Sequence, residues 1–375
     1  MASLCTRCSL RLQRQSQPSR LITRTFCQST TRPVEFPTFT PSTNKTLNDT
    51  LAAYRDKHLV PAFLTRREQQ LIFSPHKKDY LKENPTTIEL GGQEIKLQWF
   101  DRHTERPARM KLVKAALEQI FQSKDGRDWE NVAKLLQALK EVHKAPLEEK
   151  VQDKIVRKAV RQGQISQVLK MLQHADKTSM SLKSGLVLKT LVMGVRDTAQ
   201  RSGWEKEHVI RALEMLQRIA QLLETEQHGA GRNIVEGDPR MDPFILGVQL
   251  ELVSVYAYKH NQGVDENETV ARYADRLLCS IGEEQLDASV LETKLVLREQ
   301  GPHSEFQHAV PILHGVFLAN KMLGEEMPQA EEARRLIAAY EHTLSGLAAI
   351  LEGRAPAQGS YDHSALEAWR RMIRD

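Results

Sequence analysis

Cysteine is scarce in this chain of 375 residues, and most of it lies at one end. Three of the four cysteines, Cys5, Cys8 and Cys27, fall in an N-terminal segment that we expect to be removed after synthesis, which leaves Cys279. One thiol per chain can form neither an intramolecular disulfide framework nor a thiolate zinc site. The Cys5-x-x-Cys8 pair is therefore interpreted as accidental.

The remaining cysteine lies on an apolar stripe. Cys279 follows Leu278 and precedes Ile281 by two positions in a predicted helix. A thiol among apolar side chains packs as a small hydrophobic group. We therefore expect Cys279 to be a buried structural thiol rather than a nucleophile.

The sequence also lacks the signatures of catalytic sites. Gly229-x-Gly231 has neither the third glycine nor the Lys-Ser/Thr of a phosphate loop, and no Gly-x-Ser-x-Gly elbow occurs. His303 and His308 are five residues apart, whereas a helical zinc site needs histidines at i and i+4. His308 and Pro311 are expected near a helix start instead. We expect no catalytic residue, no metal, no cofactor and no small-molecule substrate, and hence no enzyme.

Long apolar runs and aromatic side chains are few as well. No apolar run of about 18 residues occurs, so no membrane span is predicted. Aromatic residues make up 6% of the chain, which favours an array of small helices over a β-sandwich. The predicted fold class is mainly all-α: an α-solenoid-like array of antiparallel helix pairs with an extended N-terminal arm and one small β-hairpin.

Acidic residues are absent from the first 34 residues, which contain six arginines and no lysine. This composition, rich also in Ser and Thr, is typical of a mitochondrial presequence. A cationic amphipathic helix is drawn inward by the membrane potential, and carboxylates would oppose that force. We expect residues 1–33 to be a presequence and the mature chain to reside in the mitochondrial matrix. The alternative is a retained basic arm that binds nucleic acid.

A processing signal lies inside this segment. Arg24, Phe26 and Ser29 resemble the Arg-x-Phe-x-x-Ser pattern of two-step matrix processing. The resemblance implies a first cleavage after Thr25 and a mature start near Val34. The precursor carries a charge of +5 and its first 33 residues +6, which leaves the mature chain near −1. The overall charge of the precursor is therefore poor evidence of nucleic-acid binding.

The remaining charge is unevenly divided. Residues 106–200 hold 19 Lys and Arg against 10 Asp and Glu, whereas residues 201–375 hold 18 against 28. A basic block followed by an acidic block indicates two faces with different partners. Two ordinary solvated helix surfaces are the equal alternative.

The N-terminal part of the mature chain, residues 34–105, is predicted to be irregular. Prolines favour an extended arm over residues 34–48, and residues 47–74 are predicted to be helical with breaks at Pro61 and Pro75. Over residues 86–99, apolar residues alternate on both sides of a Gly-Gly pair. Since glycine accepts the positive φ of a tight turn, this pattern predicts a β-hairpin.

From Pro107 onward an apolar spacing of three and four predicts successive helices. Asp128 is expected to cap the first of the apolar runs. A loop over residues 227–243 is predicted to separate a basic helical-repeat region, residues 106–226, from an acidic helical region, residues 244–375. The later helices are predicted at 146–163, 165–174, 182–199, 205–226, 244–260, 267–281, 285–300, 305–323, 328–352 and 361–374.

A row of basic residues lies within the basic region. Lys150, Lys154, Arg157, Lys158 and Arg161 recur at a spacing of three or four, so most of them share one helix face. Such a row neutralises phosphates and binds RNA without reading its sequence. Seven lysines are interpreted as extending it: Lys134, Lys140, Lys144, Lys170, Lys177, Lys183 and Lys189.

Aromatic residues that could stack on bases are few in this region. Trp129 is the only one between residues 122 and 203. Contact with the backbone of folded RNA, either rRNA or mRNA, is therefore expected in preference to single-strand recognition by stacking. A solvated face without RNA is the alternative.

Residues 151–184 resemble one pentatricopeptide repeat, a helix–turn–helix unit common in organellar RNA-binding proteins. The resemblance is carried by Ile155, Ala159, Gly163, Val168, Met171, Leu172 and Ala175. It implies a superhelix of such units, in which the base-reading pair would be Asp153 and Lys183, although neither residue is of the family's usual type. A generic α-hairpin is the alternative.

The plan of the whole chain resembles accessory subunits of mitochondrial ribosomes and their translation factors. The shared features are a presequence, a Pro-rich arm, a small hairpin and a long helical array. The resemblance implies a non-catalytic scaffold in mitochondrial gene expression, with mitochondrial rRNA or mRNA and ribosomal or other matrix proteins as partners. The alternative is a protein-only adaptor or an assembly factor for a respiratory complex.

Overall fold

The structure is a computed structural model. The residues that it describes are 36–144, 146–282, 284, 286–296, 303–358 and 360–373. The presequence and its processing residues Arg24, Phe26 and Ser29 lie outside them. The described chain is mainly helical and contains one two-stranded sheet, which confirms the predicted fold class.

The first helical segment runs through a proline. Helix α1 (Lys45–Tyr54) continues through a π-helical turn (Arg55–Leu59) into α2 (Val60–Phe63). The predicted break at Pro61 is therefore wrong. The π-helical turn shifts the hydrogen-bond register just before the proline, so that a residue without an N–H is accommodated.

The chain leaves this helix only at the next cap. Thr65 and Glu68 form a capping box at the start of α3 (Arg66–Phe73). This helix ends before Pro75, as predicted, and a short 3₁₀ turn leads into α4 (Lys78–Glu83).

The predicted hairpin is present. β1 (Thr87–Leu90) pairs antiparallel with β2 (Gln93–Lys96), with Ile88 opposite Ile95. Both glycines of the turn have positive φ, which glycine adopts without strain. The two isoleucines are half-buried whereas most of their strand neighbours are exposed, so that one face of the hairpin rests on the protein.

The rest of the described chain is a succession of helices with mostly short connections. They are α5 (Arg109–Gln122), α6 (Glu130–His143), α7 (Glu149–Arg161), α8 (Ile165–Gln173), α9 (Ala175–Thr178), α10 (Gly185–Arg201), α11 (Lys206–Leu223), α12 (Pro243–His260), α13 (Thr269–Ser280), α14 (Ala288–Val296), α15 (His303–Leu323), α16 (Ala330–Gly353) and α17 (Tyr361–Arg370).

The start of α6 differs from the prediction. Asp128 does not cap this helix; it is buried and its carboxylate accepts a hydrogen bond of 2.5 Å from the Ser123 hydroxyl. Asp125 supplies a cap earlier, because its side chain accepts the backbone N–H of Arg127 in a 3₁₀ turn that leads into α6. The next helix begins at Glu149, three residues later than predicted.

Helix α12 lies at the centre of the C-terminal half. It packs against α10, α11, α13 and α15, and residues on all its sides are therefore buried, from Phe244 to Ala257. Pro311 lies inside α15 rather than near its start. Its neighbours Val310 and Ile312 are buried, so that core packing holds the helix through the proline.

The last helix closes this core. α17 packs on α15 and α16. Three hydrogen bonds attach it and the residues that follow it: Gln200 Nε2 donates to the Ala368 carbonyl (2.9 Å), Trp204 Nε1 donates to the Arg371 carbonyl (3.2 Å), and the Ile373 N–H donates to His314 Nε2 (3.0 Å).

Among the described residues, no helix is long and apolar enough to cross a membrane.

Candidate nucleic-acid interface

Helix α7 has one apolar and one basic face. Its apolar face packs against α8 and α10 and contains Ile155, Val156 and Ala159. At 3.6 residues per turn, four of the five predicted basic residues point within about 60° of one another. These four are Lys150, Lys154, Arg157 and Arg161, and all are exposed; Lys158 is half-buried at the edge of the row. The structure therefore brings the five residues together on one surface, which we name the α7 basic face.

Two of the five cations have acidic partners within the protein. Lys154 forms an ion pair with Glu118 of α5. Arg157 pairs with Asp153 at 2.7 Å, and the side chain of Asp153 is only 5% exposed. Part of the charge expected on this surface is thus neutralised by the chain itself.

The other three cations are available to a partner. Within the described part of the chain, Lys150, Lys158 and Arg161 form no ion pair. They span the length of the helix, since Lys150 lies in its first turn and Arg161 in its last. A polyanion along α7 would meet three unneutralised charges.

The predicted extension of the row is only partly present. Lys134 donates a hydrogen bond to the Thr40 hydroxyl (2.6 Å), Lys140 donates to the Asp176 carbonyl, and Lys189 pairs with Asp242 at 2.8 Å. These three lysines hold the protein together instead of facing a ligand. The remaining four are exposed: Lys144, Lys170, Lys177 and Lys183.

The base-reading pair implied by the pentatricopeptide resemblance is not assembled. Asp153 is buried, and its two carboxylate oxygens accept hydrogen bonds from Thr190 Oγ1 (2.9 Å) and Arg157 Nη2 (2.7 Å). It cannot reach a base, whereas Lys183 is exposed. Helices α7 and α8 do form a hairpin that turns at Gly163, but an α-hairpin is common to many folds.

The sequence did not point to a buried ionic cluster between the helices. Arg196 of α10 and His314 of α15 both contact the carboxylate of Glu251 on α12, and all three side chains are fully buried. Burial alone would raise the pKa of Glu251, but the charge and hydrogen bonds of Arg196 and the hydrogen bond of His314 lower it to about 2. The only sequence signal was a charged residue inside an apolar helix.

Cys279 is exposed, so its predicted burial is wrong. The buried stripe of α13 contains Val270, Ala274, Leu277 and Leu278, and the next residue turns away from it by about 100°. The thiol accepts a hydrogen bond from Gln329 Nε2 at 3.1 Å. In the described part of the chain, no group of three or more His, Cys, Asp or Glu could hold a metal ion.

These features define a class of protein: an α-helical scaffold with a basic surface and a core stabilised by buried polar contacts. A family model described as mitochondrial ribosomal protein mS27 matches residues 24–371. The chain belongs to this family of mitochondrial ribosomal proteins. Its membership confirms the predicted mitochondrial location and the predicted likeness to ribosomal subunits.

A relative in Neurospora crassa is described as small ribosomal subunit protein mS27. It is 25% identical to this chain over 252 residues, which cover 66% of this chain and 62% of the relative. The chain thus spans a little less than two thirds of the length of that protein.

Proposed function

We propose that this protein is a structural, non-catalytic component of the small subunit of the mitochondrial ribosome, and that the α7 basic face contacts the backbone of rRNA. The family match over residues 24–371 carries the first part. The relative's description as a small-subunit protein indicates the subunit. The three unneutralised cations of α7 support the second part, because phosphates are bound by Lys and Arg without base readout.

This role requires import into the matrix and partners on more than one surface. The Arg-rich segment of residues 1–33 is proposed to direct import and to be removed there. The basic block, residues 106–200, is proposed to lie on rRNA, and the acidic helices of residues 244–375 are proposed to face solvent or ribosomal proteins with basic surfaces. Because Asp153 is buried, it cannot read a base. A pentatricopeptide-like α7–α8 hairpin would therefore bind the backbone of RNA.

The test reverses only the unneutralised charges. The variant Lys150→Glu/Lys158→Glu/Arg161→Glu is expressed in mitochondria, and its migration with the small ribosomal subunit is followed on gradients of increasing salt. We expect the variant to leave the subunit at lower salt than the unaltered protein. The logarithm of the binding constant falls as the logarithm of the salt concentration rises. Loss of three phosphate contacts makes this negative slope shallower by about 2 to 3.

A charge-matched control distinguishes the face from net charge. Lys45→Glu/Lys206→Glu/Arg218→Glu reverses three exposed cations outside α7 and is expected to migrate like the unaltered protein. Equal salt resistance of the α7 variant and the control would exclude the rRNA contact. Migration of the unaltered protein in light fractions alone would exclude the ribosomal role.

A further inference from the structure

A second basic surface lies outside the α7 region, between α4 and the end of β2. Helix α4 presents Lys78, Leu81 and Lys82 on one face, since positions i, i+3 and i+4 are neighbours around a helix. Across a groove from them lie Lys96, Leu97, Gln98 and Trp99. We name this groove the α4–β2 groove.

The floor of the groove is apolar and its rim is cationic. Leu81 and Leu97 are buried at the bottom, whereas Lys78, Lys82 and Lys96 are exposed at the rim, and no carboxylate is among the lining residues.

Asp79, which pairs with Lys82, scarcely reduces the positive charge of the rim. Asp79 lies 3.4 Å from Lys82, with both side chains largely exposed, and an exposed pair of this kind contributes little. The groove therefore attracts anions along a hydrophobic bottom.

Trp99 gives the groove an oriented aromatic ring. Its Nε1 donates a hydrogen bond of 3.0 Å to the Ser74 carbonyl, which fixes the indole. The Lys78 ammonium lies 4.6 Å from the centre of the ring, over its face. Trp99 is half-buried and lines the groove. Because Lys78 is exposed, its ammonium can move to a phosphate when a planar group replaces it on the ring.

We propose that the α4–β2 groove binds a single-stranded segment of RNA. One base stacks on Trp99 above the leucine floor, and the flanking phosphates pair with the three lysines. Stacking on a fixed aromatic ring tolerates any base. A duplex does not fit, because its bases are already stacked on one another and cannot reach a ring inside a groove.

An acidic peptide is the alternative ligand for this groove, and the orientation of the Trp99 ring argues against it. Carboxylates would use the lysines but leave the oriented indole face without a role. The groove shares no residue with the α7 basic face. The α7 basic face suits the backbone of folded RNA, whereas the groove suits a single strand. An aromatic side chain suited to stacking lines this groove in the form of Trp99.

The experiment measures binding of a fluorescein-labelled oligouridylate to the purified full-length protein by anisotropy. We expect Lys78→Glu/Lys82→Glu/Lys96→Glu to reduce the salt slope by about 2, which corresponds to three phosphates of a single strand. Trp99→Leu is expected to bind about tenfold more weakly, as for the loss of one stacked base. Trp99→Phe, which retains a ring, is expected to bind nearly as well as the unaltered protein.

A site-specific readout accompanies the affinities. A 4-thiouridine oligonucleotide is crosslinked and the protein is digested with trypsin, and the adduct is expected on the peptide 97–102, which contains Trp99. Circular dichroism verifies that each variant is folded, and the Lys45→Glu/Lys206→Glu/Arg218→Glu protein is the charge-matched control. Unchanged binding by the triple-lysine variant would overturn the proposal, as would adducts confined to other peptides. Equal competition by duplex RNA or polyglutamate would overturn the single-strand assignment.

Discussion

Arg196 donates two hydrogen bonds to Glu251 in the protein core. Nε lies 2.6 Å from Oε2 and Nη2 lies 2.8 Å from Oε1, with both side chains inaccessible to solvent. His314 Nδ1 donates to the same carboxylate at 2.7 Å, since its Nε2 accepts the Ile373 N–H. Arg196, Glu251 and His314 together join α10 of the basic region to α12 and α15 of the acidic region.

Neutralising Glu251 should strongly destabilise the protein. Glu251→Gln leaves the buried Arg196 guanidinium with Asp197, 3.5 Å from its Nη1, as its remaining acidic partner. Loss of the fully buried carboxylate costs about 3–5 kcal/mol of unfolding free energy. Urea denaturation followed by circular dichroism measures the loss. The surface control Glu331→Gln, which removes the exposed partner of Arg334, should cost less than about 1 kcal/mol. A loss for Glu251→Gln as small as that of the control would contradict the structural role of the pair.

His308 should make the protein less stable at acid pH. Burial, reinforced by the charge of Lys189, lowers its pKa to about 4 from 6.5, although Asp242 opposes the shift. The folded protein thus retains a neutral ring where the unfolded chain is already protonated. Stability contributed by the neutral ring is complete above pH 6.5 and falls as the pH decreases towards 4, by a few kcal/mol in total.

The measurement compares pH dependence between variants. His308→Phe, which preserves a ring beside Phe244 (4.3 Å between centroids), should flatten the acid limb of the unfolding free energy. His58 and His228, whose pKa values are also lowered by burial, should keep a residual slope. His342→Phe at an exposed position is the matched control. An acid limb that is identical in His308→Phe and the unaltered protein would refute the assignment.

Gly194 should not tolerate a methyl group. A Cβ at this position of α10 would lie 2.2 Å from Cγ2 of Val160, so α7 would have to move, at a cost of about 1–3 kcal/mol. Thermal or urea unfolding of Gly194→Ala measures it. Gly346→Ala is the control: it lies in the exposed interior of α16 with nothing within 4 Å and should stabilise by about 0.5–1 kcal/mol. If both substitutions stabilise, α7 and α10 are not in close contact.

Arg240 should hold the 227–243 loop in shape. Its guanidinium donates to the buried Asp238 carboxylate (2.6 Å) and to the carbonyls of Gly231 (2.9 Å), Arg232 (3.3 Å) and Asn233 (3.0 Å). Arg240→Ala removes these donors, so that trypsin should cleave after Arg232 much faster than in the unaltered protein.

Lysine is not expected to replace Arg240, because a single ammonium cannot match the planar fork of donors. Mass spectrometry of timed digests identifies the cleavage, and Arg334→Ala on the exposed surface of α16 is the control. If Arg240→Ala digests no faster after Arg232 than the control, the loop is ordered by other contacts.

Local features were predictable from the sequence. The hairpin follows from a Gly-Gly turn between alternating residues, and the α7 basic face follows from a spacing of three and four along one helix. Pro61 shows the limit of such rules, because a π-helical turn a few residues earlier accommodates it. Cys279 shows another, since an error of one residue in the helical phase moves a side chain from the core to the surface.

The partners of the site residues were not predictable. Lys154 and Glu118 are 36 positions apart and Lys134 and Thr40 are 94 apart, so that only the fold shows that Glu118 neutralises Lys154 and that Lys134 is bound to the Thr40 hydroxyl. The Arg196–Glu251 pair joins residues 55 positions apart. Charge counts along a sequence therefore overestimate the charge that a folded surface offers to RNA.

The attachment of α17 has a consequence for the order of events in the organelle. If the proposed presequence directs import, the N-terminus enters first and this helix enters after every other described helix. Until it arrives, the side chains of Gln200, Trp204 and His314 lack the backbone partners that they have in the finished fold. Closure of this part of the core therefore requires the last helix.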